Sequence, residues 1–389
     1  MLAIVTLALC TGSVFLLSFI SILNPGKANH IANRWLGVFL LCLGLAFLAD
    51  LFRELNISSQ YLFVSVFSEI TRFAAAPSLY LSVCYFSSPE RSLRRGDILH
   101  FIPFFLFIIN CLPVLLPWLS GPMFSNRFDI NGVGKYIRTF MFLVIKVQVV
   151  GYWVASFVKL SRHPKNMRFV FSSLPSVDLK WLKYFLLSLL LIFLIWFNEA
   201  FFGITWINDY SSYGYLVSIY SLSYFALKQK EIFPFQASAL TEIKEILKES
   251  NLEGPKHQRI AEDKLELLIV KLKHLMESDK YFLDHDLGLP HLAEKMDLTS
   301  HELSYLLNRG LGISFFEFVN RYRVERAKLL LLSDDYKHLN MLGIAFETGF
   351  NSKTTFNTAF KKITGVSPSE FKKSAGGNLN ELLSKPKTA

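Results

Sequence analysis

Two sets of residues in this chain have types and spacing that could do something specific. The first is polar groups set inside long apolar runs: Glu69 and Arg72, Lys146 and Gln148, Asn198 and Glu199. At membrane depth such groups are costly and need partners or water. A spacing of three puts Glu69 and Arg72 on one helix face, as either an internal ion pair that locks a bundle or part of a ligand or ion site. The second set is a pattern that occurs twice. In LPHLAEKMDLTSHELSYLL, Ala293 is followed by Asp297, Leu298, Leu303 and Leu306; 52 positions later Ala345 is followed by Gly349, Phe350, Phe356, Ala359, Phe360 and Ile363. A small residue that admits a second helix, a left-handed turn residue and apolar residues that pin two helices together are what a helix-turn-helix requires. Gly349 supplies the turn without strain, and Asp297 tolerates it better than most residues. Thr299 or Ser300, and Ser352, are the N-caps of the second helices.

Covalent and metal chemistry find little support. All four cysteines (Cys10, Cys42, Cys84, Cys111) sit inside apolar runs, and the region after residue 227 has none. No metal-ligand spacing, phosphate loop or nucleophile and base pair is visible. The sequence therefore points away from an enzyme, a metal and a cofactor.

The elements that position these residues divide the chain in two. Residues 1–227 hold 17 Lys/Arg and 9 Asp/Glu, whereas residues 228–389 hold 24 and 22. Seven stretches in the first part are long and apolar enough to span a bilayer, at roughly 2–23, 34–52, 61–87, 98–119, 138–160, 180–203 and 211–227. A signal peptide is disfavoured for the first, because no basic residue precedes it, the run is too long and no cleavage pattern follows. Lys and Arg number ten in the first, third and fifth loops and three (Arg53, Arg127, Lys135) in the second, fourth and sixth. That asymmetry places the N-terminus outside and the C-terminal part in the cytoplasm, in an inner-membrane protein. No segment is broken twice in matching places, which disfavours transport.

A helical linker is expected over 228–280. LTEIKEILKES is followed by the breaker EGPK, then by a helix from about Ile260 to Ser278 with Leu265, Leu268, Ile269, Leu272, Leu275 and Met276 on one stripe. The stripe packs on its own domain or, less well supported at two heptads, pairs in a coiled coil. Between the two repeated units, FFEFVNRYRVERAKLLLL reads as a long helix with Arg321, Arg323 and Arg326 among apolar residues, able to hold the units at a fixed separation.

LPHLAEKMDLTSHELSYLLN, GISFFEFVNRYRVERAKLLL and GIAFETGFNSKTTFNTAFKKITGVSPSEFKK together resemble the C-terminal domain of the AraC/XylS family of transcription regulators, over about residues 283–373. Gly349, Phe350, Phe356, Phe360, Lys361, Gly365, Pro368 and Phe371 stand in register with the most diagnostic segment. The resemblance implies that the second helix of each unit enters the major groove of double-stranded DNA. His301, Ser304 and Tyr305 on the first, and Lys353, Thr354, Asn357, Thr358 and Lys361 on the second, then lie off the core face toward bases and phosphates. The basic footprint is thin: residues 281–373 carry 12 Lys/Arg against 11 Asp/Glu, a net of +1. Two chains are therefore a plausible requirement, with the bilayer concentrating one near the other.

The expected architecture is all-α: a seven-helix transmembrane sensor or anchor (1–227), the linker (228–280), a double helix-turn-helix domain (281–373) and a flexible tail (374–389). The expected function is a membrane-integrated regulator that couples a signal ligand or protein to transcription. Two rivals are a transporter or membrane enzyme with an autoregulatory domain, and an adaptor that has lost DNA binding.

Overall fold

The structure is a computed structural model that describes residues 2–23, 29–58, 60–88, 92–115, 133–173, 179–227, 237–249 and 260–375. Among these residues every regular element is helical, and the nearest approach to a sheet is one antiparallel bridge between Phe171 and Gly288. The chain divides into two compact units, Met1–Arg162 with Leu179–Glu231, and His163–Asp178 with Ile232–Ala389.

The first unit contains α1 (Leu2–Leu23), α2 (His30–Glu54), α3 (Leu62–Phe86), α4 (Ile102–Leu115), most of α5 (Val133–Met167), α6 (Lys180–Phe201) and α7 (Thr205–Leu227). Each of the seven apolar stretches read from the sequence overlaps one of these helices, with residues 116–119 of the fourth lying outside the described residues. Three segments, Ile4–Leu23, His30–Glu54 and Leu143–Met167, are long and apolar enough by composition to cross a membrane among the described residues. The fourth stretch departs from expectation, because Arg95–Phe101 winds as a 3-10 helix before α4 begins. Small residues set the packing: a Cβ on Gly44 would meet the Phe15 ring at 3.0 Å, so α1 and α2 lie close together. Hydroxyls join neighbouring helices, as Ser18 donates to the Gly37 carbonyl at 2.8 Å and Ser82 to that of Ala32 at 3.0 Å.

The second unit is built around two cores and one helix that serves both. It contains α8 (Ala237–Glu249), α9 (Glu262–Ser278), α10 (Leu289–Lys295), α11 (Ser300–Tyr305), α12 (Phe315–Leu332), α13 (Met341–Glu347), α14 (Lys353–Thr364) and α15 (Pro368–Ala375). Phe315, Phe318 and Val319 at the start of α12 belong to the first core, and Val324, Ala327, Leu330 and Leu331 to the second. Burying each such side chain contributes roughly 1.5–3 kcal/mol, so α12 fixes the separation of the two halves through its own packing. The α9 stripe packs on its own domain: Leu272, Leu275 and Met276 are buried in the first core, with Leu265, Leu268 and Ile269 partly buried against it.

Candidate nucleic-acid interface

Both turns form as the sequence requires, and they are built alike. Asp297 has φ 58° and Gly349 φ 84°. In the first unit the Leu298 N–H donates to the Ala293 carbonyl at 3.0 Å; 52 positions on, the Phe350 N–H donates to that of Ala345 at 2.9 Å. Thr299 caps α11 in a reciprocal box, its hydroxyl accepting from the Glu302 N–H while the Glu302 carboxylate accepts from the Thr299 N–H at 2.8 Å. Ser352 caps α14 by accepting from the Thr355 N–H at 3.2 Å, and Gly365, at φ 83°, closes that helix in the left-handed conformation. Phe350, Phe356, Phe360 and Phe371 meet in sequence in tilted and edge-to-face contacts, with ring centroids 5.3, 5.7 and 5.4 Å apart, and hold α14 against the second core.

The eight candidate contact residues fall into unequal sets. Lys353, Thr354, Asn357, Thr358 and Lys361 are all exposed on α14. Ser304 and Tyr305 on α11 are half-buried, and Tyr305 packs against the first core. His301 departs from the expected placement off the core face: its side chain is 9% exposed because α8 lies against α11. Glu245 Oε2 approaches His301 Nε2 to 2.9 Å, an ion-pair distance without hydrogen-bond alignment. The Ser300 N–H donates to Glu242 Oε2 at 2.8 Å.

Sequence reading passed over a second set of residues. The sequence places Arg323 among the basic residues of the linking helix, yet it is wholly buried. Its Nε donates to the Phe282 carbonyl at 2.7 Å, Nη2 to the Asp284 carbonyl at 2.6 Å and the Ser172 hydroxyl at 3.1 Å, and Nη1 to the Ser172 carbonyl at 3.2 Å. Burial pulls the guanidinium down to about 10, partly offset by Asp284 and Asp286. The Ser172 partner comes from the connection between α5 and α6. That segment also accepts N–H groups that open two helices, at Arg168 O from Phe316 (3.0 Å) and Val170 O from Leu289 (2.8 Å). Ser173 donates to Asn351 at 2.6 Å, next to the cap of α14. The usable signal was register, since Val319, Arg323 and Ala327 follow one another at intervals of four on the buried face.

In the first unit, Glu69 and Arg72 pair at 3.4 Å within α3. Arg72 and Asp50 also line a cavity of about 170 Å³ whose other walls include Phe47, Trp153, Phe193 and Tyr215. Lys146 is half-buried on α5, and the Glu199 side chain lies outside the described residues.

The helix-turn-helix domain family profile matches residues 292–374. The arabinose operon regulatory protein of Escherichia coli is 30% identical over 113 residues, 28% of this chain and 38% of that protein. The C-terminal helix-turn-helix domain of the chain is therefore of the AraC type. The AraC-type likeness extends to an uncharacterised HTH-type transcriptional regulator of Staphylococcus aureus, 29% identical over 26% of this chain and 13% of that one. The C-terminal domain of the response regulator yesN from Fusobacterium nucleatum is 31% identical, covering 28% of this chain and 98% of that structure, with a TM-score of 0.23. The chain thus spans well under half of the curated AraC-type relatives it matches.

Proposed function

We propose that this chain is a membrane-embedded transcription regulator whose apolar unit receives a signal and whose C-terminal unit acts on DNA. The observation that carries the coupling is the place of the α5–α6 connection. Arg168–Ser173 lies between two apolar helices in the chain, yet its carbonyls and hydroxyls complete the helix starts and the buried arginine of the second unit. A change in the spacing of α5 and α6 is therefore a change in a segment on which the DNA-binding domain is built. In this reading all seven helices α1–α7 span the inner membrane, with the N-terminus outside. The signal is a protein that acts on the outer face of this unit or a small molecule that enters the cavity, where 170 Å³ is room for about one ring, since an engineered apolar cavity of about 150 Å³ takes benzene.

DNA recognition is assigned to α11 and α14 through the eight candidate residues, with two copies of the chain combining to offset the small net charge. The experiment is capture of genomic DNA by the intact protein from washed membranes, alongside Lys353→Ala/Lys361→Ala. A discrete set of enriched sites that the double variant loses is the expected result. Recovery of the protein in the soluble fraction would sink the membrane assignment. The near-neutral charge favours one second reading, a protein adaptor, and membranes that enrich no DNA would select it.

A further inference from the structure

The two recognition helices are not equally available. On α14 the five candidate residues face solvent, whereas α11 lies under α8. The cover is made by two kinds of contact. Leu240, Ile243, Ile246 and Leu247 form the buried face of α8, and Ile246 enters the first core. On the same helix Glu242 accepts from the first N–H of α11, and Glu245 stands over His301 while itself 61% exposed. These carboxylates hold the ground that a DNA phosphate backbone would need, and they carry the same sign of charge as phosphate.

We propose that α8 is an intramolecular competitor of DNA: it covers the first recognition helix in the resting chain and must leave before both helix-turn-helix units can engage one duplex. This rests on the reading that the domain binds DNA through α11 and α14. The connectivity suits control from the apolar unit, because α7 ends at Leu227 and α8 begins at Ala237. Apparent affinity then falls by the fraction of chains in which α11 is uncovered.

The test uses the full-length protein in lipid nanodiscs and a pool of randomised duplexes long enough for two boxes about one helical turn apart. Glu242→Gln/Glu245→Gln removes both carboxylates from half-buried and exposed positions. It should bind the pool roughly tenfold more tightly, the combined scale of one cap contact weakened by loss of its charge and one carboxylate removed from beside His301. Selection from the pool should yield one box with the wild type and two with the variant. Glu266→Gln/Glu277→Gln on the exposed side of α9 makes the same charge change and should tighten binding less than about twofold, as screened surface charges do. Site-resolved modification of His301 by diethyl pyrocarbonate reads the cover without DNA, and it should accelerate in the first variant only. If His301 reacts as fast in the wild type, α8 does not cover it and the proposal is overturned. Should the variant free His301 and yet bind no more tightly than the control pair, the proposal falls while the DNA reading stands. Absence of binding by every form, wild type included, would overturn the DNA reading and the proposal with it.

Discussion

Gly349 and Asp297 do the same job at the same place in two repeated units, but their surroundings differ. A Cβ on Gly349 would sit 2.9 Å from both the Cα and the carbonyl oxygen of Leu283, which are backbone atoms with little freedom to yield. The glycine is therefore required twice, once for its positive φ and once for the close approach of the chain before α10. Gly349→Ala should lower the stability of the second unit by about 2–4 kcal/mol, combining left-handed strain with overpacking. Asp297 is exposed, and its side chain reaches Lys271 Nζ at 3.3 Å across the surface. Asp297→Gly should change stability by less than about 1 kcal/mol, because relief of strain offsets the loss of a weak ion pair and the extra chain entropy. Hydrogen exchange of α13 and α14 amides in the full chain separates the two outcomes. Exchange in Gly349→Ala equal to wild type would show that the chain before α10 gives way.

At the scale of elements, the question is what keeps α10, α12 and the α5–α6 connection together. Arg323 answers it with four hydrogen bonds to three residues that come from two distant parts of the chain. Arg323→Met should destabilise the unit by about 3–5 kcal/mol, since buried carbonyls lose their donor. Lysine should rescue little, because a point charge cannot reproduce the planar fork that spans Phe282, Asp284 and Ser172. Ser172→Ala should cost about 1 kcal/mol and act locally, at the Leu287 carbonyl before α10 and at the Arg323 guanidinium of α12. Protease sensitivity of the 168–173 segment in the folded protein reports both effects, and a lysine variant as resistant as wild type would remove Arg323 from this role. The arrangement was half legible in the sequence. Helix positions, both turns and the caps follow from local chemistry, so Thr299, Ser352 and Gly349 could be named from neighbours a few residues away. Ser172 and Arg323 are 151 positions apart, and nothing local to VFSS or RYRVER announces that they meet. For His301 the failure has the same origin: its helix position was read correctly, but α8, more than fifty residues earlier, covers it.

For the whole molecule, the decisive property of the proposed regulator is the side of the membrane on which each part lies. Two observations bear on the proposed arrangement. In the proposed topology the basic residues Arg162, Lys165, Arg168, Lys180 and Lys183 put the α5–α6 connection in the cytoplasm by the charge rule. That same connection is folded into the second unit, so the C-terminal domain and residues 163–173 must share a compartment whatever the number of spans. A reporter fused after Ala389 should therefore be active only in its cytoplasmic form, and one inserted near Asn131 only in its external form. A third insertion near Gly203, between α6 and α7, should behave like the one at Asn131. This site makes the test sharper than the termini alone, because an even error in the number of spans would leave the C-terminus inside while moving an intermediate loop. An external signal at Ala389 would end the case for action on DNA. A cytoplasmic signal at Gly203 with the C-terminus also inside would keep the regulator but take α6 and α7 out of the bilayer, leaving the α5–α6 connection without a second membrane helix to move it.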